Sequence, residues 1–254
     1  MARSMCLIVL AWRPGHAMPL IVAANRDEFY ARPTLPLAAW EDAPGVYAGR
    51  DLEAGGTWMG LGPGGRFAAL TNVRDPGQPL GPRSRGELVA GFLRGRQAPL
   101  DYLAEVQRRA AEYSGFNLLV GDARQLCYFN PRNGEPRELP AGLHGLSNAS
   151  LDTPWPKLLR ARAALEEHLD EAEPGALLGL LGDRERPDDE RLPETGVGLA
   201  TERLLSSVFI ASANYGTRAS SVLRVHADGR REFIERSFGP EGAHLGEVRL
   251  ELNT

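Results

Sequence analysis

The chain has 254 residues, 43% apolar and 24% charged, with a formal net charge of −4. That is the make-up of an ordinary globular protein, long enough to bury a full core. The acidic balance argues against a nucleic-acid binder, which carries a basic excess or patch, and the apolar N-terminal run, residues 6–12, is far short of the roughly 20 residues of a membrane span.

"CLIVLAW" and "PLIVAAN", joined by "RPGHAM", predict a β-hairpin buried on both faces, with Pro14 and Gly15 in the turn. No small-residue cleavage site follows, so a cytoplasmic protein without stable membrane insertion is expected. "RFAALTN", residues 66–72, predicts a strand entered through the glycine-rich "GLGPGG". In "SRGELVAGFLRG", Ser84 and Glu87 fit a capping box and Gly95 a stop. Pro99 opens a second predicted helix running to about Tyr113. "FNLLVGDARQLCYFN" reads as strand, turn, strand.

"TPWPKLLRARAALEEHL" predicts a helix with Thr153 as N-cap, Pro154 in the first turn and Leu158, Leu165 and Leu169 on one stripe. Residues 182–196, "GDRERPDDERLPETG", predict an exposed loop. Strands follow in "SSVFIAS", "ASSVLRVHA" and "RREFIERSF", the last two joined by a "DG" hairpin signal. No internal repeat is present, and a single domain over 1–254 is expected. Successive hairpins mean antiparallel sheet, and helices in separate blocks mean α+β. Two sheets face to face with helices outside, and one sheet with helices on one face, both fit this pattern.

Two cysteines, Cys6 and Cys127, make no disulfide framework. With no CxxC or HExxH and five scattered histidines, no metal site is expected. His16 and His144 could serve as haem or metal ligands, although isolated histidines are more often solvated. Cys127 lies in the apolar "LCYF" and reads as a small buried hydrophobe. Cys6 directly follows Met5. Were residues 1–5 a leader that is removed, or translation to start at Met5, Cys6 would be the first residue, a thiol nucleophile carrying its own amine base.

In "AANRDEFYARP", Asn25, Arg26, Asp27 and Glu28 end a buried strand, where unpaired charges would each cost several kcal/mol. The hairpin places Cys6 opposite roughly residues 24–26, near Arg26 and Asp27, and a neighbouring arginine favours the thiolate. A salt-bridged strand end that fixes register explains the same cluster. Trp58 in "GGTWMG" could wall a ligand site or simply fill the core. Asn72 in "ALTN" and Asn148 in "GLSN" are amides of the kind an oxyanion hole uses, and also common turn formers. Arg218 in "YGTR" could clamp an anion or lie on the surface. Basic charge is almost all arginine; Lys157 is the only lysine.

Together "MCLIVLAW", "AANRDEFYARP", "GGTWMG", "ALTN", "RGELV", "GFNLL", "GLSNASLDTPWPK", "YGTR" and "ERSF" resemble the transport-and-Golgi-organisation-2 family, also called the NRDE family, in order over residues 5 to about 238. The resemblance implies an N-terminal-nucleophile (Ntn) hydrolase fold, an α+β four-layer αββα sandwich with antiparallel sheets. It also implies kinship with cysteine Ntn hydrolases, whose site residues map onto Cys6, Arg26, Asp27, Asn72, Asn148 and Arg218. In that branch one or two residues separate the Arg from the Asp; here they are adjacent. The family usually begins with Met-Cys, and this sequence departs from it by the four-residue prefix "MARS".

The resemblance further implies handling of a small amphipathic ligand, in haem trafficking or acyl-lipid homeostasis, with Asn25, Glu28, Trp58 and Trp155 as ligand-binding residues. No cofactor is required, and haem would be a cargo. The alternative is a cysteine amidohydrolase acting on a non-peptide C–N bond. A scaffold with a vestigial pocket is a third reading.

Overall fold

A computed structural model describes residues 5–78 and 80–253. Of the expected leader 1–5, residues 1–4 lie outside the described residues. In chain order the strands are β1 (Met5–Trp12), β2 (Leu20–Phe29), β3 (Thr34–Ala39), β4 (Tyr47–Asp51), β5 (Met59–Gly62), β6 (Arg66–Asn72), β7 (Phe116–Gly121), β8 (Leu126–Phe129), β9 (Arg137–Glu138), β10 (Gly142–Leu146), β11 (Tyr215–Val225), β12 (Arg231–Phe238) and β13 (His244–Leu252). The helices are α1 (Gly86–Arg94), α2 (Pro99–Arg108), α3 (Pro156–Glu167), α4 (Pro174–Leu180) and α5 (Leu199–Leu204). Among the described residues no helix is long and apolar enough to cross a membrane.

The chain forms two compact units, one made of Met1–Ala31, Arg74–Pro76 and Ala141–Thr254, the other of Arg32–Val73 and Gly77–Pro140. The first holds an antiparallel sheet in the order β10-β1-β2-β11-β12-β13. Every residue of β1 is buried, so the predicted hairpin is covered on both faces. Leu7, Val9 and Ala11 of β1 and Ile21 and Ala23 of β2 pack against Leu158, Ala161 and Leu165 of α3 and Leu177 and Leu178 of α4. Each such leucine contributes about 1.5–3 kcal/mol by burial. The sheet ends at β13, which alternates exposed and half-buried residues. It is fringed by Arg236, Glu247 and Arg249 in ion pairs, charge that discourages edge-to-edge pairing.

The second unit is a seven-stranded meander, β3 through β9 in sequence order. Leu88, Val89, Phe92 and Leu93 of α1 and Leu103 and Val106 of α2 join Ala68, Leu70, Leu118, Val120 and Phe129 in one core. Cys127 belongs to that core, as its apolar neighbours predict.

Three local expectations need correction. The capping box at Ser84 does not form: α1 starts at Gly86 without a side-chain cap, and Glu87 instead pairs with Arg83 and accepts from the Tyr113 hydroxyl. Helix α3 begins one proline later than expected, with Pro156 in its first turn and Trp155 at the N-cap, while the Thr153 hydroxyl donates to the Ser150 carbonyl. Residues 206–212 are not a strand. Val208, Phe209 and Ile210 are buried in irregular backbone, whose polar groups are satisfied by Asn25, Asp183 and Thr217 instead of a sheet neighbour.

Candidate functional site

The β1–β2 register pairs Cys6 with Arg26 and Met5 with Asp27. Opposed residues of an antiparallel pair share a face and successive residues alternate, so the adjacent Arg26 and Asp27 serve opposite faces. Cys6 and Arg26 lie on one. Met5, Asp27, Leu7 and Asn25 lie on the other, which carries the helices α3 and α4. Arg26 also lies 3.8 Å from Glu28. The β1–β10 pairing ends at Ile8 with Leu146, and Asn148 follows two residues beyond β10. Asn148 is buried and its carbonyl accepts the Arg74 N–H at 2.7 Å.

Burial pushes the Cys6 thiol up to about 12; the Asp27 charge adds to this, and the Arg26 charge opposes it. The sulfur is therefore a neutral thiol at physiological pH, and its nitrogen is a peptide nitrogen acylated by Met5. The Met5 side chain packs on Leu205, Ile210 and Tyr215, and the Met5 N–H donates to the Tyr215 hydroxyl at 3.0 Å.

Asp27 is held by a relay across β2 and β11. The Ile210 N–H donates to Thr217 Oγ1 at 2.9 Å, and that hydroxyl donates to Asp27 Oδ1 at 2.7 Å. Burial raises the Asp27 carboxyl to about 6, with the Lys157 ammonium the largest opposing influence. Gly216, beside Thr217, is obligatory: a Cβ there would meet the Tyr30 hydroxyl at 2.3 Å and the Ile210 carbonyl at 2.4 Å.

On the helix-bearing side lie three groups that the motif reading did not assign: Arg74, Lys157 and Glu202. Lys157, in the first turn of α3, is 3% exposed and Arg74 7%. Burial lowers the Lys157 amine to about 8, while the charge on Asp27 opposes that fall. Arg74 Nη1 pairs with Glu202, and its guanidinium stacks over the Trp155 ring at 4.6 Å. Glu202 Oε1 accepts the Thr195 N–H at 3.0 Å and the Thr195 hydroxyl at 2.5 Å. Arg74, Trp155, Lys157 and Glu202 line a narrow cleft with Pro156, Pro187, Leu192, Pro193, Leu205 and Ser206. The sequence held one signal for Lys157, a solitary lysine in a chain that otherwise uses arginine. It held none for Arg74 or Glu202.

The remaining expected residues fall as follows. Asn25 is fully buried and committed: its Nδ2 donates to the carbonyls of Leu181 and Val208, each at 2.9 Å, and its Oδ1 accepts the Ser220 hydroxyl at 2.6 Å. Glu28 Oε1 accepts the Phe29 N–H at 2.8 Å. Arg218 sits at a bulge in β11 and donates to the Phe29 carbonyl at 3.2 Å. Asn72, at the end of β6, and Trp58, just before β5, belong to the second unit. His16 Nδ1 accepts the Met18 N–H, and His144 pairs with Asp152. Among the described residues no three His, Cys, Asp or Glu side chains gather as a metal site.

Residues 5–240 match the family model described as Transport and Golgi organisation 2. A Homo sapiens protein, Transport and Golgi organization protein 2 homolog, is 36% identical, the match covering 96% of this chain and 97% of that one. A Mus musculus homolog is 35% identical over 92% of this chain and 93% of its own length. A Drosophila melanogaster protein is 31% identical over 89% and 88%. Among solved structures, the Caenorhabditis elegans N-acylethanolamine-hydrolyzing acid amidase (NAAA) ortholog has a TM-score of 0.50 and 13% identity, covering 86% of this chain and 92% of that chain. At that identity the likeness establishes fold alone: the α+β, antiparallel fold of Ntn-hydrolase type expected from the sequence is borne out.

Proposed function

We propose, from the premise that this chain belongs to the Transport and Golgi organisation 2 family, that its first unit holds a small amphipathic ligand of the acyl-lipid class and binds it without turnover in the form described here. The observation that carries this reading is the composition of the cleft. A wall of Trp155, Leu192, Pro187 and Pro193 faces polar groups at Arg74, Lys157 and Glu202, the mixture of apolar surface and few polar anchors that ligand sites use. An acyl ligand is favoured over haem because no His, Cys, Met or Tyr is among the residues lining that cleft, and these are the side chains that ligate haem iron. Calorimetric titration with a medium-chain acyl compound, beside a haem titration followed at the Soret band, tests this: saturable acyl binding without a saturable Soret change is the expected result.

The second reading is amide hydrolysis by Cys6, supported by the shared register of Cys6 and Arg26 and by the solved relative in fold being an amidase. It requires a thiolate and a base. In this chain burial keeps the thiol protonated, and the nitrogen of Cys6 is tied up in the Met5 peptide bond. Hydrolysis therefore belongs to a form in which Cys6 is the first residue, where its own amine can take the thiol proton. Intact-mass analysis of native material, paired with an N-acylethanolamine hydrolysis assay on wild type and Cys6→Ala, decides it. Turnover with residues 1–5 still attached would contradict this account.

A further inference from the structure

Two residues lining the cleft of the first unit, Arg74 and Lys157, carry donors that the described residues do not satisfy. Lys157 Nζ, Arg74 Nε and Arg74 Nη2 are buried and have no hydrogen-bond partner among the described residues. A buried donor left unpaired costs on the order of 1–3 kcal/mol, more when charged, so three at one place call for a ligand. The two arginine atoms are not an arbitrary pair. With Nη1 held by Glu202 and one flat face covered by Trp155, Nε and Nη2 form the remaining edge of the planar group, the fork that grips two oxygens of one anion. Glu202 cannot also serve Lys157 well, since its Oε1 takes Thr195 and its Oε2 takes Arg74. Asp27 acts on Lys157 through its charge, and its Oδ1 is bound to Thr217. The lysine is also a choice: every other basic residue of the chain is arginine, and only an ammonium supplies a compact point charge there.

We infer that this cleft is an anion-binding subsite, in which the Nε/Nη2 edge of Arg74 and the Lys157 ammonium hold the carboxylate or phosphate head of an amphipathic ligand while its apolar part lies along Trp155, Leu192 and the loop prolines. The inference rests on the acyl-ligand reading and narrows it: the head is anionic and a neutral amide or alcohol is a poor ligand.

The test titrates the full chain calorimetrically with octanoate, octyl phosphate, octanol and inorganic phosphate. At least one of the two anionic amphiphiles is expected to bind about tenfold or more tighter than octanol, and comparing them identifies the head. Lys157→Met removes a buried ammonium that makes no hydrogen bond among the described residues and fills the same space, so it is expected to fold. It should weaken the anionic amphiphiles about tenfold while leaving octanol unchanged. Glu202→Gln should tighten them by cancelling the competing negative charge, and Lys157→Arg should retain preference for anions. Opposite effects at 157 and 202 are not what a purely structural role would give.

Equal binding of octanol and the anions, or unchanged anion affinity in folded Lys157→Met, overturns the subsite and leaves the acyl-ligand reading standing. Binding of inorganic phosphate, lost in Lys157→Met, with no binding of any amphiphile does the reverse. No binding by any of the four overturns both.

Discussion

Asn25 offers the sharpest test of how the first unit is held together. It is fully buried, and its amide bridges three separate pieces of chain: the carbonyl of Leu181, the carbonyl of Val208, and Ser220 on β11. Asn25→Ala leaves two buried carbonyls without those donors. At about 1–3 kcal/mol per orphaned group the loss comes to roughly 2–6 kcal/mol, a large share of the roughly 5–15 kcal/mol that stabilises a typical domain. The buried Ser220 hydroxyl also loses its Asn25 acceptor, which adds to that loss. Asn25→Asp is isosteric but aims oxygen lone pairs at two carbonyl oxygens, so at neutral pH it should be worse than alanine. Urea unfolding followed by far-ultraviolet circular dichroism reads this as a lowered midpoint at constant slope. A loss under about 1 kcal/mol for Asn25→Ala, or Asn25→Asp tolerated better than Asn25→Ala, would refute the bracing role.

Four further outcomes rest on other buried groups of the fold. Because the Asp27 carboxyl is raised to about 6 in the folded chain, against roughly 3.9 when unfolded, the native state binds the extra proton; stability from this group is full below pH 4 and is lost as pH rises through 6, so Asp27→Asn should flatten the stability profile between those limits while wild type slopes downward. Lys157, lowered to about 8, works in the other direction, its contribution present at high pH and lost as pH falls through 8, and Lys157→Met should remove that slope. Burial pushes Cys6 and Cys127 each to about 12, so a disulfide reagent at pH 8 should find no fast thiol in the native chain and two in denaturant; one rapid native thiol would contradict the buried sulfur. Gly216→Ala drives a methyl into the Tyr30 hydroxyl and the Ile210 carbonyl and should cost about 1–3 kcal/mol, measurable as a lower urea midpoint.

What could be read from the sequence depended on whether the cause was local. The β1–β2 and β11–β12 hairpins are written in continuous apolar runs and, for the second, an Asp-Gly turn in which Gly229 has a φ of +91°; counting back from the first turn was enough to bring Cys6 level with Arg26. Strand β3 escaped because it carries a proline and buries only Leu37, and β4 because it is short and only partly covered; β13 alternates half-buried and exposed residues and was legible in its pattern. "SSVFIAS" has the composition of a strand, yet its apolar residues serve packing and its Val208 carbonyl serves Asn25, a partner 183 residues away. Adjacent Arg26 and Asp27 looked like one cluster until the alternation of strand faces separated them. Arg74 and Glu202 acquire meaning only from each other, 128 residues apart, a pairing no local pattern encodes.

The lone lysine has a practical corollary. An endoproteinase that cuts after lysine has one target in this chain, Lys157, inside the first turn of α3 and shielded from solvent. Cleavage demands that this helix lift away from the sheet. The appearance of two fragments is thus a clock for that opening, and any compound that settles against α3 should slow it without touching the protease.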